Sequence, residues 1–171
     1  MPYLSLAIWV PIVAGLAVLA IGRDRDAGLA RGIALMGALA GFLVTVPLWV
    51  HFTHGTSDMQ FVERAEWIPR FDIYYLLGVD GLSVLFVLLN SLITLLVVWA
   101  GWEVIERRVA QYMAAFLIMS GLVNGAFCAL DGMLFYVFFE AMLIPMYLII
   151  GIWGGPNRVY AAIKFFLYTL L

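Results

Sequence analysis

The sequence carries little charge and almost no cysteine. Only 12% of its 171 residues are charged, against roughly 25% in a soluble domain. The net charge is −2 and no run of basic residues is present, which argues against a nucleic-acid partner. The single cysteine, Cys128, rules out an intrachain disulfide, and no histidine stands at a metal-ligand spacing from it. We therefore predict no disulfide, no metal site and no binding of nucleic acid.

Hydrophobic residues make up 65% of the chain. This is more than one globular core can bury, so lipid must be the solvent for much of the surface. Uncharged windows of about 20 residues, the length that spans a bilayer as a helix, recur along the chain. They predict an all-α membrane protein, a polytopic bundle of about six transmembrane helices in one domain, residues 1–171. The predicted helices cover residues 3–21, 32–52, 81–102, 110–130, 132–153 and a last one from about 159. The last is still apolar at Leu171, so we expect further helices beyond it.

Arginines predict how the bundle is oriented. Alternate connections, which share one side of the membrane, hold six of them, and the other side holds two, Arg64 and Arg70. The positive-inside rule then places the arginine-rich connections in the cytoplasm and the N-terminus outside. The long connection, residues 53–79, is expected outside, with residues 67–77 along the membrane interface. The six arginines are Arg23, Arg25, Arg31, Arg107, Arg108 and Arg158.

One acidic residue lies where a bilayer should reject it. Glu140 is about two residues from the middle of the fifth predicted helix, and an ionised side chain at that depth costs roughly 2.5–3.5 kcal/mol. The carboxyl must be protonated or paired with a buried cation, so its charge state responds to what approaches it, as a proton-carrying site requires. Pro145 removes a backbone hydrogen bond and should bend or bulge the helix nearby. Tyr136 and Tyr147 share the face of Glu140. The alternative is a structural glutamate in a fixed hydrogen bond.

A lysine near the start of the sixth predicted helix is the second candidate. Lys164 lies about five residues, or about 8 Å, into the helix, with Tyr160 and Tyr168 one turn to either side. It could face the bundle and pair with buried groups or pass protons to them. It could equally extend back to the interface with its ammonium in water.

The remaining polar residues within the predicted helices indicate structure rather than chemistry. Those of the third and fourth helices are expected to form hydrogen bonds between helices, and Asp80 and Asp131, each just before a helix, are expected to cap it. The helix residues concerned are Ser83, Asn90, Thr94, Ser120 and Asn124.

Three motifs resemble a known family over the whole chain. The stretch LGVDGLS (77–83), preceded by WIP (67–69), resembles the start of the third helix in antiporter-like subunits of proton-pumping NADH:quinone oxidoreductase, respiratory complex I. The stretch FFEAMLIPMY (138–147) is similar to the fifth-helix motif of the subunit M, or chain 4, branch of that family. The stretch KFFLYT (164–169) is similar to the motif that opens the sixth helix.

The resemblance implies a fold of about fourteen helices, of which this chain is the N-terminal third. It implies that Glu140 pairs with a lysine on a later helix, and that protons cross the membrane here while quinone is reduced elsewhere in the complex. We expect no cofactor on this chain, with flavin, iron–sulfur clusters and quinone on partner subunits. The implied partners are other membrane-arm subunits, including sister antiporter-like subunits, together with lipids and protons. The implied location is the bacterial inner membrane rather than the mitochondrial one.

Two other functions remain open from the residues. The chain could belong to a multisubunit cation/proton antiporter, in which Na⁺ is exchanged for protons. It could also be a membrane scaffold that pumps nothing and keeps Glu140 for packing.

Overall fold

Six helices and one β-hairpin make up the computed structural model, which describes residues 2–22 and 26–171. Within these residues, five helices, α1 to α5, are long and apolar enough to cross a membrane. The predicted class, a polytopic transmembrane helix bundle, is confirmed. Arg23 and Arg25, used in the orientation prediction, lie outside the described residues. The helices are α1 (Tyr3–Ile21), α2 (Ala27–Val50), α3 (Gly81–Val104), α4 (Val109–Cys128), α5 (Gly132–Trp153) and α6 (Arg158–Leu170), and the strands are β1 (Gln60–Ile68) and β2 (Ile73–Val79).

Helix α4 lies at the centre and packs against α1, α2, α3 and α5. Glycines allow its close approach to α1. A Cβ on Gly121 would collide with the carbonyl oxygen of Ile8, and one on Gly15 would lie 2.8 Å from the side chain of Ile118. Helices in lipid have no hydrophobic driving force to associate. Small residues at such crossings let the backbones approach closely, so that van der Waals packing stabilises the contact.

A buried amide links α1, α3 and α4 in the middle of the bundle. Asn124 is fully buried. Its Nδ2 donates to the carbonyl of Ala7, 3.0 Å, and to Ser91 Oγ, 3.3 Å, while its Oδ1 accepts from Asn90 Nδ2, 2.8 Å. Pro11 stands four residues after Ala7 and has no N–H, so the Ala7 carbonyl has no donor in its own helix. Asn124 supplies that missing donor.

The expected hydrogen bonds between α3 and α4 are therefore present, with two exceptions. Asn90 also donates to the carbonyl of Ser120, 3.0 Å. The hydroxyl of Thr94, by contrast, donates to the carbonyl of Asn90 in its own helix, 2.8 Å. Ser83 contributes its backbone N–H to the cap of α3 rather than its side chain to α4.

Residues 67–77 form part of a β-hairpin at one end of the bundle, and their position along the membrane interface stays a prediction. Strands β1 and β2 form an antiparallel hairpin, closed by a 3₁₀ turn at Pro69–Phe71. The end of β2 enters the core, where Leu77 and Val79 are fully buried and the carbonyl of Leu76 accepts from Leu130 N, 2.9 Å. Pairing with β1 satisfies the backbone of these residues, so they can be buried without a helix.

Carboxylates cap the helices that begin at the hairpin end of the bundle. Asp80 Oδ1 accepts from the backbone N–H groups of Leu82 and Ser83, and Asp131 Oδ1 accepts from those of Met133 and Leu134. Both predicted caps are confirmed. The backbone donor of Ser83 is the main cause that holds the pKa of Asp80 below its usual value of 3.8.

Candidate functional site: an intramembrane carboxylate on α5

Glu140 lies in the ninth position of the 22-residue helix α5. At 1.5 Å per residue this is about 12 Å from the start of the helix, deep in the apolar layer. Its Oε2 is buried and has no hydrogen-bond partner among the described residues. An ionised oxygen in that state carries a desolvation penalty of several kcal/mol with nothing to offset it. The described residues supply no fixed hydrogen bond, the alternative interpretation, to this oxygen.

Pro145 lies one turn beyond the carboxylate and is buried. The helix continues through it from Gly132 to Trp153. Because proline has no N–H, the carbonyl of Ala141, next to Glu140, loses its helical donor. A carbonyl without its helical donor and a carboxyl oxygen without a partner among the described residues thus lie on adjacent residues of one helix.

The three predicted supporting tyrosines, Tyr136 and Tyr147 beside Glu140 and Tyr168 beside Lys164, differ in their surroundings. Tyr136 is 53% exposed and Tyr168 is 76% exposed. Tyr147 is half-buried and its ring meets that of Phe166 on α6 edge to face, with the ring centres 5.7 Å apart. Of the three, only Tyr147 lies between described helices.

Lys164 lies on the side of α6 that no described helix covers. Its Nζ is 5.6 Å from the ring centre of Tyr160 and 5.9 Å from that of Tyr168, which places the ammonium between two aromatic faces. Ala162, the one buried residue of α6, packs instead toward Gly151 of α5. The described helices therefore do not bring Lys164 to Glu140.

Two polar anchors were missed by reasoning from the sequence. Glu63 of β1 accepts from the backbone N–H of Leu4, 2.8 Å, and from the hydroxyl of Ser5, so it caps α1 from a distance of about 60 residues in the chain. Arg31 donates to the carbonyl of Ile105 at the end of α3, 3.0 Å. Neither leaves a local signal, because each partner is remote in sequence.

The arrangement defines a class of protein: a multi-helix membrane protein with a carboxylate deep in a span, one oxygen of which has no partner among the described residues, and a proline about one turn away. Such intramembrane carboxylates mark ion and proton pathways. Comparison with known proteins narrows the class. Residues 129–171 match the family described as NADH:quinone oxidoreductase/Mrp antiporter, transmembrane.

Named relatives match the chain throughout. NADH-quinone oxidoreductase subunit M of Rhodobacter capsulatus is 46% identical over 98% of this chain and 33% of its own length. NADH-ubiquinone oxidoreductase chain 4 of Marchantia polymorpha is 40% identical over 98% of this chain and 34% of its own. The resemblance seen in the sequence is confirmed: over nearly its whole length the chain is similar to the subunit M and chain 4 membrane subunits of NADH:quinone oxidoreductase.

Solved structures show the same fold. Respiratory complex I from Thermus thermophilus with bound NADH contains a chain that superposes with a TM-score of 0.82 at 34% identity, over 98% of this chain and 32% of that one. A membrane-bound sulfane sulfur reductase, an archaeal respiratory membrane complex, gives 0.80 at 18% identity and shows the fold alone. The chain spans about a third of the length of the relatives it matches.

Proposed function

We propose that this chain is part of a membrane subunit of NADH:quinone oxidoreductase and moves protons across the membrane, coupled to quinone reduction elsewhere in the complex. The single observation that carries the proposal is Glu140 Oε2, buried in a span with no partner among the described residues. The named relatives are quinone oxidoreductase subunits, which favours this function over cation/proton exchange.

The physical basis is the sensitivity of a buried carboxylate to a nearby cation. A cation that approaches Oε2 stabilises the ionised form, and its withdrawal leaves the protonated form favoured, at about 1.4 kcal/mol for each tenfold change in proton affinity. We propose that the cation is a lysine on another helix of the full-length protein. A proton released outward moves against a membrane potential that costs about 2.3 kcal/mol per 100 mV. A change of a few kcal/mol in the free energy of protonation of Glu140 is therefore comparable with that cost.

Pro145 and the tyrosines are proposed to serve the same pathway. The carbonyl of Ala141 that Pro145 frees is an acceptor for water beside Glu140. Tyr147, half-buried between α5 and α6, is placed to contribute a hydroxyl. Tyr136 and Tyr168 face away from the described helices, so their contribution requires elements that cover those faces in the whole protein.

Lys164 is proposed as a second proton-transfer group. Its exposure on α6 means that its partners lie outside the described helices. The two flanking rings hold the ammonium near the helix surface, where cation–π contacts contribute about 0.5–1 kcal/mol or more. These contacts oppose an extended conformation of the Lys164 side chain that would carry its ammonium to the membrane interface.

We propose that the chain lies in the bacterial inner membrane with its N-terminus outside. Among described residues the arginine end of the bundle holds Arg31, Arg107, Arg108 and Arg158, and the hairpin end holds Arg64 and Arg70. The proposed partners are other membrane-arm subunits, including sister antiporter-like subunits. Flavin, iron–sulfur clusters and quinone are proposed to reside on those or other partner subunits and not on this chain.

The test replaces Glu140 in the assembled complex. Glu140→Gln keeps the shape but cannot ionise, and an amide is cheaper to bury than a carboxylate, so assembly should survive. We expect proton uptake and the coupled NADH–quinone rate to fall more than tenfold, and Glu140→Asp to retain part of both. Glu106→Gln, on an exposed acid at the arginine end, is the matched control and should behave as wild type.

The readouts are proton uptake and quinone-reductase rate in membranes that hold equal amounts of assembled complex. Near-normal rates for Glu140→Gln would reject the proposal and leave the chain as a scaffold. In the same assay, Lys164→Ala should reduce proton transfer while the complex still assembles. If Lys164→Ala and Lys164→Arg were both silent, Lys164 would not be part of the pathway.

A further inference from the structure

A cavity of about 370 Å³ lies at the arginine end of the bundle, and three arginines line it. Arg107 and Arg108 come from the turn between α3 and α4, and Arg158 is the first residue of α6. The rest of the lining is Gly151, Ile152 and Trp153 at the end of α5, so within the described part of the chain no acidic side chain faces the three guanidinium groups. We call this the arginine cavity.

The backbone of the turn is held so that the arginines face this cavity. The indole N–H of Trp153 donates to the carbonyl of Arg107, 3.1 Å, and fixes the turn over the end of α5. Arg108 adopts a left-handed conformation, φ 52°, which costs a side chain roughly 1–2 kcal/mol and which a glycine would accept without strain. Strained backbone conformations cluster at functional sites, so the strain at Arg108 supports a function for the arginines of this cavity.

Two helix amino ends near the cavity add positive charge, which the carboxyl ends of α3 and α5 at the same end of the bundle partly offset. Helix α4 begins just after Arg108 and α6 begins at Arg158, and neither has a side-chain cap. At the opposite end, carboxylates cap α3 and α5. The uncapped amino ends leave N–H groups and the positive pole of each helix near the three arginines.

An apolar groove continues from the arginine cavity toward the middle of the membrane. It encloses about 380 Å³ between α1, α4 and α5, and it shares Ile152 and Trp153 with the cavity. Ala114 and Ala115 on α4 leave the space that larger side chains would fill. Along α5 the groove runs from Ile152 to Ile144, about 12 Å at 1.5 Å per residue.

We propose that the arginine cavity and the groove bind one anionic phospholipid, with its phosphate among Arg107, Arg108 and Arg158 and one acyl chain along the groove. Charge complementarity selects the occupant. Three arginines in a cavity lined by no acidic side chain among the described residues favour a headgroup with net negative charge over a zwitterionic one. An apolar groove that opens from a cationic cavity at the end of a membrane span matches a phosphate joined to a hydrocarbon chain, which free phosphate lacks. Glu140 does not line the cavity or the groove, although the groove reaches Pro145, and the proposal does not depend on the proposed function.

The experiment uses the purified complex with the full-length chain, reconstituted in phosphatidylcholine vesicles with a trace of phosphatidylglycerol that carries a photoreactive diazirine on one acyl chain. After illumination, labelled peptides are mapped by mass spectrometry. We expect labels on groove residues of α4 and α5, such as Ile118 and Leu148. Unlabelled phosphatidylglycerol should compete, whereas phosphatidylcholine and inorganic phosphate should not.

Variants test the headgroup contact. Loss of one basic residue near an anionic lipid weakens binding roughly fivefold, so Arg107→Gln with Arg158→Gln should lower groove labelling by more than tenfold. The charge-conserving pair Arg107→Lys with Arg158→Lys should retain most of it. Arg70→Gln, on an exposed arginine at the hairpin end, is the control and should leave labelling unchanged.

Each other outcome overturns the proposal. Equal competition by phosphatidylcholine would mean that the groove binds chains without headgroup recognition, and effective competition by phosphate would mean a plain anion site. Absence of label from the groove would mean that another segment or subunit covers it. Unchanged labelling in the double glutamine variant would mean that the arginines only neutralise the carboxyl ends of α3 and α5.

Discussion

Asn124 offers a sharp test of how the bundle is held together. Its side chain joins α1, α3 and α4 through three hydrogen bonds, and one of them goes to the Ala7 carbonyl that Pro11 leaves without a helical donor. Hydrogen bonds between transmembrane helices average about 0.6 kcal/mol and reach about 1.7 kcal/mol. Asn124→Ala should therefore destabilise the chain by about 2 kcal/mol, and by up to about 5 kcal/mol if each bond is at the upper limit.

The second mutation isolates the bond to Ala7. In a Pro11→Ala background the new N–H can donate to the Ala7 carbonyl, so that carbonyl no longer needs Asn124. The cost of Asn124→Ala should then fall by the share of one bond, about 0.6–1.7 kcal/mol. Residues that share a partner give such a coupling energy in a double-mutant cycle, and independent residues do not.

The assay is a heat challenge of the purified complex, followed by the amount of intact subunit on native gels. Midpoint temperatures of the four proteins in the cycle are compared, since one transition in a large complex does not yield a reliable absolute free energy. Ser120→Ala is the control, because the contact of Asn90 with Ser120 is made chiefly to the Ser120 backbone carbonyl, which that change retains. An equal midpoint shift for Asn124→Ala in the wild-type and in the Pro11→Ala background would refute the reasoning.

The helices could be predicted because each is long and free of charge over most of its length. The bounds of α1 and α5 agree with the sequence prediction. Helix α2 begins at Ala27, five residues earlier than predicted, because Arg31 was taken to end the apolar window. In the structure Arg31 lies inside the helix and donates to the carbonyl of Ile105. An arginine that donates to a backbone carbonyl at the end of another helix does not mark the boundary of its own helix.

The hairpin could not be predicted, since its stability comes from pairing rather than from composition. Residues 67–77 contain aromatic and polar side chains that suit a membrane interface as well as a strand. The turn at Pro69–Phe71 is followed by Asp72 in a left-handed conformation, φ 52°, and not by the Asn-Gly or Asp-Gly pair that signals a tight hairpin. The contacts of β2 with α1, α3, α4 and α5 show that it belongs to the core.

The candidate site was predictable in its central residue and not in its surroundings. The depth of Glu140 follows from counting residues along an apolar helix. Which neighbour covers each face of α5 does not, and the structure buries Leu134, Phe138, Leu143 and Pro145 while Tyr136 stays exposed. Helical spacing says which side chains share a face. The position of the next helix decides whether that face is buried.

Two further predictions concern orientation and acid stability. Cysteines introduced at Asp26 and Asn157, both at the arginine end, should be shielded from impermeant reagents outside intact cells, whereas one at Ser57 should be labelled; labelling of the first two would reverse the orientation. The second concerns the cap of α3. The pKa of Asp80 is lowered mainly by the backbone N–H of Ser83. The ionised carboxylate therefore stabilises the folded state at any pH above 3.8, the usual pKa of the group. That stabilisation is lost as the pH falls through the lower pKa of the folded state. Asp80→Asn keeps the acceptor but not the charge, so the wild type should be more stable near neutral pH and the difference should vanish in acid. Heat-challenge midpoints of both proteins across a pH series provide the measurement, and a difference that stays constant with pH would contradict a charged cap.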